Sequence, residues 1–383
     1  MKIGILTYTR EYANLGTVMQ CYSTFKAVQR AYPDAIVELI DYSAAAPALR
    51  PYLSNASLRS VKNDCIRIIN YRRFFREELT FSKDTLTSTS VDRAFDFIRR
   101  QRYDAIYVGS DTVLELKDAK PDSLTPYWLD GTIPSTKFLA AASSHNVTVE
   151  GLSAQQKHLI ERSVDTFTLL GVRDDATFRL LSAFGRIADN RLQIIPDPTF
   201  TYDIDYAYIE EYLDKRKLRV TAPLVCLHLL RDSTWAQALA DAFRKAGYLV
   251  ASLRPAYYAD ILFTDLAPFE QMGLYKYFSL VITHRFHDTI FCLKNLTPVI
   301  AFPEHPSDVT SEGESKIATL LKAFDIGDTN YIQNRAILRA EELFERHPAA
   351  IANFIAKGDK IKSVLVENKD KYTAFIERSK LLV

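Results

Sequence analysis

The chain contains 383 residues, has a formal net charge of +1 and is 48% hydrophobic. This length exceeds one ordinary hydrophobic core and predicts two domains, and the composition excludes a disordered chain. The near-neutral charge argues against a general nucleic-acid binder. Four cysteines without metal or redox spacing indicate buried thiols, and no segment has the pattern of a signal peptide or membrane span. We therefore expect a cytoplasmic protein without a metal site.

The first half of the chain has the hydrophobic pattern of an α/β domain with a βαβ opening. A strand is predicted at residues 2–8, a helix at 17–30 and a second strand at 36–41. Further strands are predicted at 103–108, 137–142, 168–172 and 193–195. A helix is predicted at 153–162, and another follows residues 173–175 and ends at residue 181. No Gly-x-Gly pair or Gly-Lys-Ser/Thr loop is present. This argues against a classical NAD enzyme or a P-loop NTPase.

A domain boundary is predicted at Pro196-Asp197-Pro198 and the polar stretch 201–205 that follows. A second α/β series comes after it, with strands at 224–230, 248–253 and 298–302 and helices at 233–246, 268–277 and 315–324. Within this series, an apolar run from residue 280 changes into a helix that reaches residue 293. We therefore predict domains at 1–203 and 204–330. Residues 331–383 are predicted as helices that pack outside or cross back to the first domain.

Residues 57–78 form a basic segment with interspersed aromatic side chains. Such a segment can contact a membrane surface or an acidic or lipid-linked acceptor. The alternative is an amphipathic helix with a solvated basic face. We favour the amphipathic helix and keep peripheral membrane contact as the second interpretation.

Polar residues at the strand–helix junctions are the candidate functional residues. Ligands of open α/β sheets bind outside the carboxyl ends of the strands, and a helix N-terminus there suits an anion. Arg285 and His287 lie at such a junction, and Arg173 repeats the arrangement in the first half. The candidates around the expected cleft are Asp111, His145, Arg173, Arg285, His287 and Lys316. This cation-rich set fits an enzyme that holds a small anion and transfers a group by acid–base chemistry.

Each candidate also has a structural interpretation. A strand–helix junction needs polar residues in any case, Asp111 can cap a helix, and Arg173 can pair with Asp174. The remaining histidines show no partner pattern in the sequence, and we interpret them as structural or exposed; they are His158, His228, His305 and His347. His284 alternates with Arg285 along the strand end, which predicts that it faces away from the cleft.

Five motifs in chain order resemble the polysaccharide pyruvyl transferase family, from residue 2 to about residue 324. They are Asn14-Leu15-Gly16-Thr17-Val18-Met19-Gln20, Val108-Gly109-Ser110-Asp111-Thr112-Val113, Gly171-Val172-Arg173-Asp174, Asp197-Pro198-Thr199, and Arg285-Phe286-His287-Asp288 with Thr297-Pro298-Val299-Ile300-Ala301. The chain departs from the family pattern at four positions. Gly171 and Thr283 stand where serine is usual, Asp288 replaces a frequent glycine or alanine, and Leu296 replaces a glycine.

The resemblance implies an α/β fold of two facing Rossmann-like domains, a GT-B-like glycosyltransferase architecture with C-terminal helices. It implies transfer of the enolpyruvyl group of phosphoenolpyruvate to two hydroxyls of one sugar, in a surface polysaccharide or its lipid-linked precursor. The products are a pyruvate ketal and phosphate. Phosphoenolpyruvate is the donor substrate, and no cofactor or metal is required because protein cations neutralise the phosphate.

The resemblance also implies roles for individual residues. The predicted donor-binding residues are Arg173, Arg285 and Lys316; the catalytic ones are His287 and Asp111; the acceptor-binding ones are Asn14, Gln20 and His145. His287 either transfers a proton or assists phosphate departure, and Asp111 is the predicted acceptor-side base. One alternative is a nucleotide-sugar-dependent glycosyltransferase of the same architecture. Another is a non-catalytic binding protein, which the intact Arg173, Arg285 and His287 disfavour.

Overall fold

The computed structural model describes residues 1–9, 14–44, 58–116, 119–120, 122–184, 190–218, 221–229, 233–303, 315–333 and 338–383, without the side chains of residues 58–60. The chain divides into two compact units. Unit 1 consists of Met1–Arg50, Arg73–Tyr202 and Asn368–Val383, and unit 2 consists of Pro51–Arg72 and Asp203–Glu367. The main division therefore falls one residue before the predicted boundary, and the last 16 residues of the chain belong to unit 1. Residue 57, residue 230 and His305, named above, lie outside the described residues.

Unit 1 is built on a six-stranded parallel sheet with the strand order β2-β1-β5-β6-β7-β8. These strands are β1 (Lys2–Leu6), β2 (Ile36–Leu39), β5 (Ala105–Val108), β6 (Thr136–Ala142), β7 (Leu169–Val172) and β8 (Leu192–Ile194), and a separate short pair is β3 (Tyr42–Ser43) with β4 (Leu86–Thr87). The helices that begin and end in this unit are α1 (Leu15–Ala31), α3 (Val91–Gln101), α4 (Ala154–Thr166) and α5 (Asp175–Ser182). The strand order reverses between β1 and β5, which is the position where ligands bind in such sheets.

Unit 2 contains a five-stranded parallel sheet with the order β11-β10-β9-β12-β13. Its strands are β9 (Leu224–His228), β10 (Leu249–Ser252), β11 (Ile261–Leu262), β12 (Leu280–Thr283) and β13 (Val299–Ala301). Its helices are α6 (Ala207–Lys215), α7 (Thr234–Lys245), α8 (Pro268–Leu274), α9 (Phe286–Lys294), α10 (Lys316–Ala323), α11 (Gly327–Asn330) and α12 (Ala340–Ala356). Here the order reverses between β9 and β12. The prediction of an α/β class with parallel sheets is confirmed.

Helix α13 (Gly358–Lys380) contributes its last part to the core of unit 1. The Tyr372 hydroxyl lies 3.2 Å from the Thr24 hydroxyl, and Ser379 lies 2.5 Å from the Tyr107 hydroxyl. Tyr372 and Tyr107 are both fully buried. Buried hydroxyls need such partners, so these contacts fix the helix against the sheet of unit 1.

The packing of α13 explains why glycine occupies position 171. A Cβ on Gly171 would lie 2.5 Å from Ile195 Cδ1 and 2.7 Å from Phe375 Cζ. We therefore expect Gly171→Ser to lower the free energy of unfolding by about 1–3 kcal/mol, because it overpacks this core. Urea denaturation of wild type and variant will measure the loss. In the double variant Gly171→Ser, Phe375→Ala, part of the lost stability should return. If the losses of the two single variants simply add, the added side chain does not clash with Phe375.

The basic segment forms helix α2 (Leu58–Glu78). Three of its aromatic side chains, Tyr71, Phe74 and Phe75, are buried, whereas Arg72 and Arg76 are exposed. The helix is thus amphipathic, with its aromatic residues in the protein and arginines in solvent. Of the four cysteines three are buried, but Cys65 on this helix is exposed, so the prediction that all four are buried is wrong.

Two further observations concern possible functions of the described residues. No helix among them combines the length and the apolar character that crossing a bilayer requires. Within the same ranges, no three His, Cys, Asp or Glu side chains converge in a way that would hold a metal ion.

Candidate active site

Polar residues of unit 2 meet at the point where its strand order reverses. His228 is the last residue of β9 and pairs in register with Thr283, the last residue of β12. Arg285 follows β12 by two residues, and Arg254 follows the neighbouring strand β10 by two residues. Since all these strands are parallel, the residues lie along one edge of the sheet. The sequence of unit 2 therefore concentrates imidazole and guanidinium groups at the expected ligand-binding position.

Asp288 is the buried centre of this cluster. It is 5% exposed and accepts hydrogen bonds from three elements: His228 Nδ1 at 2.6 Å, the Tyr275 hydroxyl at 2.8 Å and the Thr283 hydroxyl at 2.8 Å. Burial alone would raise the pKa of Asp288, but His228, Arg285 and Tyr275 together hold it well below its usual range. Asp288 is thus a carboxylate that orients His228 rather than an acid that contacts solvent.

The two histidines around Asp288 are neutral near pH 7. Burial lowers the pKa of His228, and the nearby Arg285 and Arg254 lower it further, against the opposing effect of Asp288. Burial also lowers the pKa of His284 to about 3, with additional repulsion from Arg285 and His228. The rings of His228 and His284 lie 6.5 Å apart. The positive charge of this site therefore comes from its arginines and not from these imidazoles.

Arg285 and the start of α9 form the anion-binding part of the site. Arg285 occupies the N-cap position without a capping hydrogen bond from its side chain, so the first N–H groups of this helix lack a side-chain acceptor. Among the described residues, its buried Nε has no hydrogen-bond partner. His287 lies in the first turn of the same helix and is half-buried, with its ring 6.1 Å from that of Phe291. An anion here would satisfy donors that the protein leaves available.

Lys316 is the first residue of α10, directly after the N-cap Ser315. It is half-buried. The side chain of Ser315 accepts a hydrogen bond from the Ala318 amide and lies 2.9 Å from the Tyr331 hydroxyl. These contacts fix where α10 begins, and its start brings an ammonium group to a helix N-terminus of unit 2. The predicted role of Lys316 in donor binding stays a prediction.

In unit 1, Asp111 lies where the strand order reverses between β1 and β5. Its Oδ2 accepts a hydrogen bond from the Thr17 hydroxyl at 2.7 Å, and its Oδ1 accepts one from the Thr112 amide at 2.8 Å. Asp111 has a φ of +79°, a conformation that non-glycine residues rarely adopt and that is costly without surrounding support. The half-buried carboxylate is thus held in one orientation, as a predicted base requires.

The backbone around Asp111 depends on Gly109. Gly109 has a φ of +111°, and a Cβ there would lie 2.7 Å from the carbonyl oxygen of Ala140. Beside it, β6 is irregular between Ala140 and Ala142, and Ala141 also has a positive φ, +58°. The close approach of β5 to β6 therefore needs glycine at position 109.

Arg173 is buried in unit 1 in an ion pair. Its side chain is 7% exposed, and Nη1 lies 3.0 Å from Asp197 Oδ2. Burial lowers the pKa of Arg173, but the carboxylates of Asp197, Asp111 and Asp174 outweigh this effect and raise it. Its charge is thus compensated by carboxylates of its own unit. The predicted role of Arg173 in donor binding stays a prediction.

The three predicted acceptor-binding residues have different surroundings. Gln20 is fully buried and donates a 2.6 Å hydrogen bond to Asp197 Oδ2, so it supports the Arg173–Asp197 pair instead of presenting its side chain at the surface. Asn14 is exposed and caps α1 by accepting a 3.0 Å hydrogen bond from the Gly16 amide. His145 follows β6 with a φ of +56° and is half-buried. Of the three, Asn14 and His145 are accessible to an acceptor.

Sequence reasoning missed two residues of the unit 2 site. His228 was interpreted as structural or exposed, whereas it forms the buried pair with Asp288. Arg254 was not considered, although it follows a predicted strand in the same way as Arg173 and Arg285. Its position just after the strand 248–253 was a usable signal. The partner of His228 was not, because Asp288 lies 60 residues later in the chain.

The fold and the site define the class of the protein: an α/β protein of two Rossmann-like units with charged and polar side chains at the carboxyl ends of its parallel strands. The model of the family described as polysaccharide pyruvyl transferase matches residues 14–306. The chain belongs to this family. It is therefore an enzyme of polysaccharide biosynthesis that acts on a glycan with a pyruvyl donor.

Solved structures show the same fold at low sequence identity. UDP-GlcNAc 2-epimerase from Neisseria meningitidis has a TM-score of 0.56 and 10% identity, covering 100% of both chains. UDP-GlcNAc 2-epimerase from Methanocaldococcus jannaschii has a TM-score of 0.55 and 11% identity, covering 95% of this chain and 98% of that chain. HepE of Anabaena in complex with UDP-glucose has a TM-score of 0.53 and 12% identity, covering 100% and 98%. The fold is thus of the GT-B type. A comparison with curated protein sequences finds no match.

Proposed function

We propose that the protein transfers the enolpyruvyl group of phosphoenolpyruvate to two hydroxyls of one sugar, in a surface polysaccharide or its lipid-linked precursor, forming a pyruvate ketal and releasing phosphate. The observation that carries this proposal is the site of unit 2. There an uncapped helix N-terminus and a guanidinium with an available Nε adjoin a buried His228–Asp288 pair. A small dianionic donor is the kind of substrate that such a site suits.

The donor offers a phosphate and a carboxylate, and unit 2 offers separate groups for them. Arg285 can bind two oxygens of one anionic group through its planar guanidinium, and the first N–H groups of α9 add donors beside it. Arg254 adds a second cation at the end of β10, which lies on the other side of β9, and Lys316 adds a third at α10. His228 and His284 stay neutral near pH 7. The positive charge that neutralises the donor therefore comes from the arginines and does not depend on protonation of these two imidazoles. This charge balance requires no metal ion or cofactor.

The reaction needs groups that add and remove protons, and we propose His287 and Asp111 for these roles. One proton is added to the methylene carbon of the donor, so that its C2 accepts the first sugar oxygen. The C–O bond to phosphate breaks, and the second sugar oxygen closes the ketal. The two hydroxyls lose two protons: one balances the proton added to carbon, and the other leaves with phosphate. We assign proton transfer on the donor side to His287 and proton removal from the acceptor to Asp111.

The test is an incubation of the purified protein with phosphoenolpyruvate and a panel of glycans. Stoichiometric phosphate release together with a glycan that gains a pyruvate ketal by mass spectrometry supports the proposal. Thermal-shift titrations with phosphoenolpyruvate and with UDP-glucose distinguish the glycosyltransferase alternative. Stabilisation by UDP-glucose but not by phosphoenolpyruvate, with no ketal formed, would overturn the proposal.

Peripheral contact with the inner face of a membrane is part of the same proposal and is carried by helix α2. The aromatic residues of this helix are buried, so its exposed cations, among the described side chains Lys62, Arg72, Arg73 and Arg76, would act through attraction to anionic lipid. Three of them, Arg72, Arg73 and Arg76, lie within five residues of each other. Each contributes about 1 kcal/mol, so replacing all three by Gln should weaken partitioning about hundredfold. Sedimentation with phosphatidylserine-containing vesicles measures this, and the same replacements at Arg93, Arg99 and Arg100 of α3 are the control. Equal sedimentation of the two triple variants would contradict membrane contact through α2.

A further inference from the structure

Unit 1 contains a pocket that the reaction described above does not use. Its volume is about 240 Å³, and its lining includes Tyr8, the β3 strand, the start of α3 and residues 115, 119–120 and 123–127. Sites for drug-sized molecules usually measure about 300–1,000 Å³. The pocket is thus sized for one small ring rather than for a nucleotide or a long chain.

Aromatic rings form one wall of this pocket. Tyr127 stands at the centre of the wall, with its ring 5.3 Å from that of Tyr8 and 5.8 Å from that of Tyr42, both in edge-to-face arrangements. Tyr42 donates a 2.9 Å hydrogen bond to the carbonyl oxygen of Ser88, which fixes its ring. Tyr42 and Tyr127 are buried and hold the half-buried ring of Tyr8, which supplies the apolar contact area that suits the C–H face of a sugar.

The polar groups of the pocket are mixed in character. The lining includes the carboxylates of Asp92 and Glu115, the ammonium of Lys120 and the hydroxyl of Ser90. Two carboxylates against one ammonium repel a phosphorylated ligand, so this lining differs from the cationic donor site of unit 2. Sugar hydroxyls both donate and accept hydrogen bonds and therefore match such a mixture.

One lining residue has an unmet hydrogen-bonding need. The Thr125 hydroxyl is buried, and among the described residues it has no hydrogen-bond partner. An unsatisfied buried hydroxyl costs about 1–3 kcal/mol, and a ligand hydroxyl would remove this cost. A hydrogen bond from a polyhydroxylated ligand to this hydroxyl would therefore favour binding in the pocket.

The pocket is connected to the predicted acceptor-side base through a single residue. The Tyr8 hydroxyl donates to the carbonyl oxygen of Thr112 at 3.2 Å, and the Glu115 amide donates to the same oxygen at 3.0 Å. The Thr112 amide in turn donates to Asp111 Oδ1. Two lining residues and the predicted base therefore share one turn of backbone, which places the pocket beside Asp111.

We propose that this pocket binds a neutral sugar ring of the glycan acceptor, as a second subsite beside the residue that receives pyruvate. The identification of the ligand as part of the acceptor rests on the proposed function. The pocket then contributes to the choice of glycan, because it binds a sugar ring that does not itself react. Contacts with non-reacting parts of a substrate are a usual source of specificity.

The test fills the pocket and measures sugar binding without turnover. Saturation-transfer NMR with the methyl glycosides of galactose, glucose, mannose and N-acetylglucosamine should give a signal for at least one of them with the wild-type protein. Ala119→Trp, at a half-buried lining position, should abolish this signal. Ala183→Trp, at an exposed position of the same unit, is the matched control and should retain it. If Ala119→Trp does not fold, Tyr8→Leu is the second variant. It removes the aromatic ring and its hydroxyl from the pocket without adding volume, and it should also abolish the signal.

Turnover separates this proposal from the proposed function. With a pyruvylated glycan in hand, Ala119→Trp should raise the KM for that glycan about tenfold or more and leave the KM for phosphoenolpyruvate unchanged. Ketal formation with an unaltered glycan KM in this variant would overturn the subsite and leave the function intact. Sugar binding that Ala119→Trp abolishes, in a protein that forms no ketal with any glycan, would keep the pocket and overturn the function. Absence of any glycoside signal with wild type would overturn the pocket proposal.

Discussion

Replacing His287 by alanine is expected to lower kcat for pyruvyl transfer by about 10²–10⁴-fold, the usual loss when a positioned acid or base is removed. His287 is half-buried in the first turn of α9, with its ring 5.4 Å from that of Phe286 and 6.1 Å from that of Phe291, and we expect the fold to persist without it. The measurement is the initial rate of phosphate release with phosphoenolpyruvate and an accepted glycan. His158→Ala, on an exposed position of α4, makes the same substitution away from the site and should be neutral.

A second substitution at this position decides what His287 does. Glutamine keeps a hydrogen-bond donor but cannot transfer a proton near neutral pH. If His287 moves a proton, His287→Gln stays as slow as His287→Ala with little change in the KM for phosphoenolpyruvate. Recovery of kcat in the glutamine variant would make His287 a phosphate ligand, and full activity in both variants would remove it from the reaction.

Replacing Asp288 by alanine is expected to lower the free energy of unfolding by about 3–5 kcal/mol, which is large for a single substitution. The loss is large because the carboxylate satisfies donors from three elements at once: His228, Tyr275 and Thr283. Each donor left without a partner costs about 1–3 kcal/mol. Urea denaturation at pH 7 measures the change, and Asp214→Ala at an exposed position of α6 is the control.

The pH dependence of stability gives an independent check of the same cluster. The pKa of Asp288 is depressed in the folded state, so its contribution is present above the unfolded value of about 4 and is lost as the pH falls further. The pKa of His284, about 3 when folded, lies below its unfolded value, so protonation of the unfolded chain destabilises the protein below about pH 6.5. The difference between wild type and Asp288→Ala should therefore narrow below pH 4. A difference that stays constant from pH 7 to pH 3 would show that folding does not depress the pKa of Asp288.

The sequence was sufficient for the long buried strands and most amphipathic helices, because these leave a periodic pattern. Helices α3 and α6 and the short strands β3, β4 and β11 were not predicted. Polar residues after strands were also visible, and Arg285, His287 and Asp111 do lie at the strand ends where the sheet orders reverse. Their partners were not visible. The pairing of His228 with Asp288 depends on β9 lying beside β12, although β10 and β11 come between them in the chain.

The partners of Arg173 and Gln20 were also not visible, because they are distant in the sequence. The sequence did not show that Asp197 returns to within 3.0 Å of the Arg173 guanidinium, or that Gln20 approaches that carboxylate from α1, 177 residues earlier. A single sequence contains no record of such long-range pairing. It shows where charges are available at strand ends, but not which of them another element will neutralise.

The sharing of α13 between the units has a consequence for biosynthesis. Unit 1 begins with the first strand of the chain, yet Tyr372 and Ser379 supply partners to its buried Thr24 and Tyr107. Domains usually fold one after another as the ribosome produces them. Here the sheet that is translated first stays incomplete until residues 368–383 have been synthesised, so unit 2 can close before unit 1. Premature termination near residue 367 would thus leave the earliest part of the nascent chain without its final packing layer, exposed to chaperones and proteases.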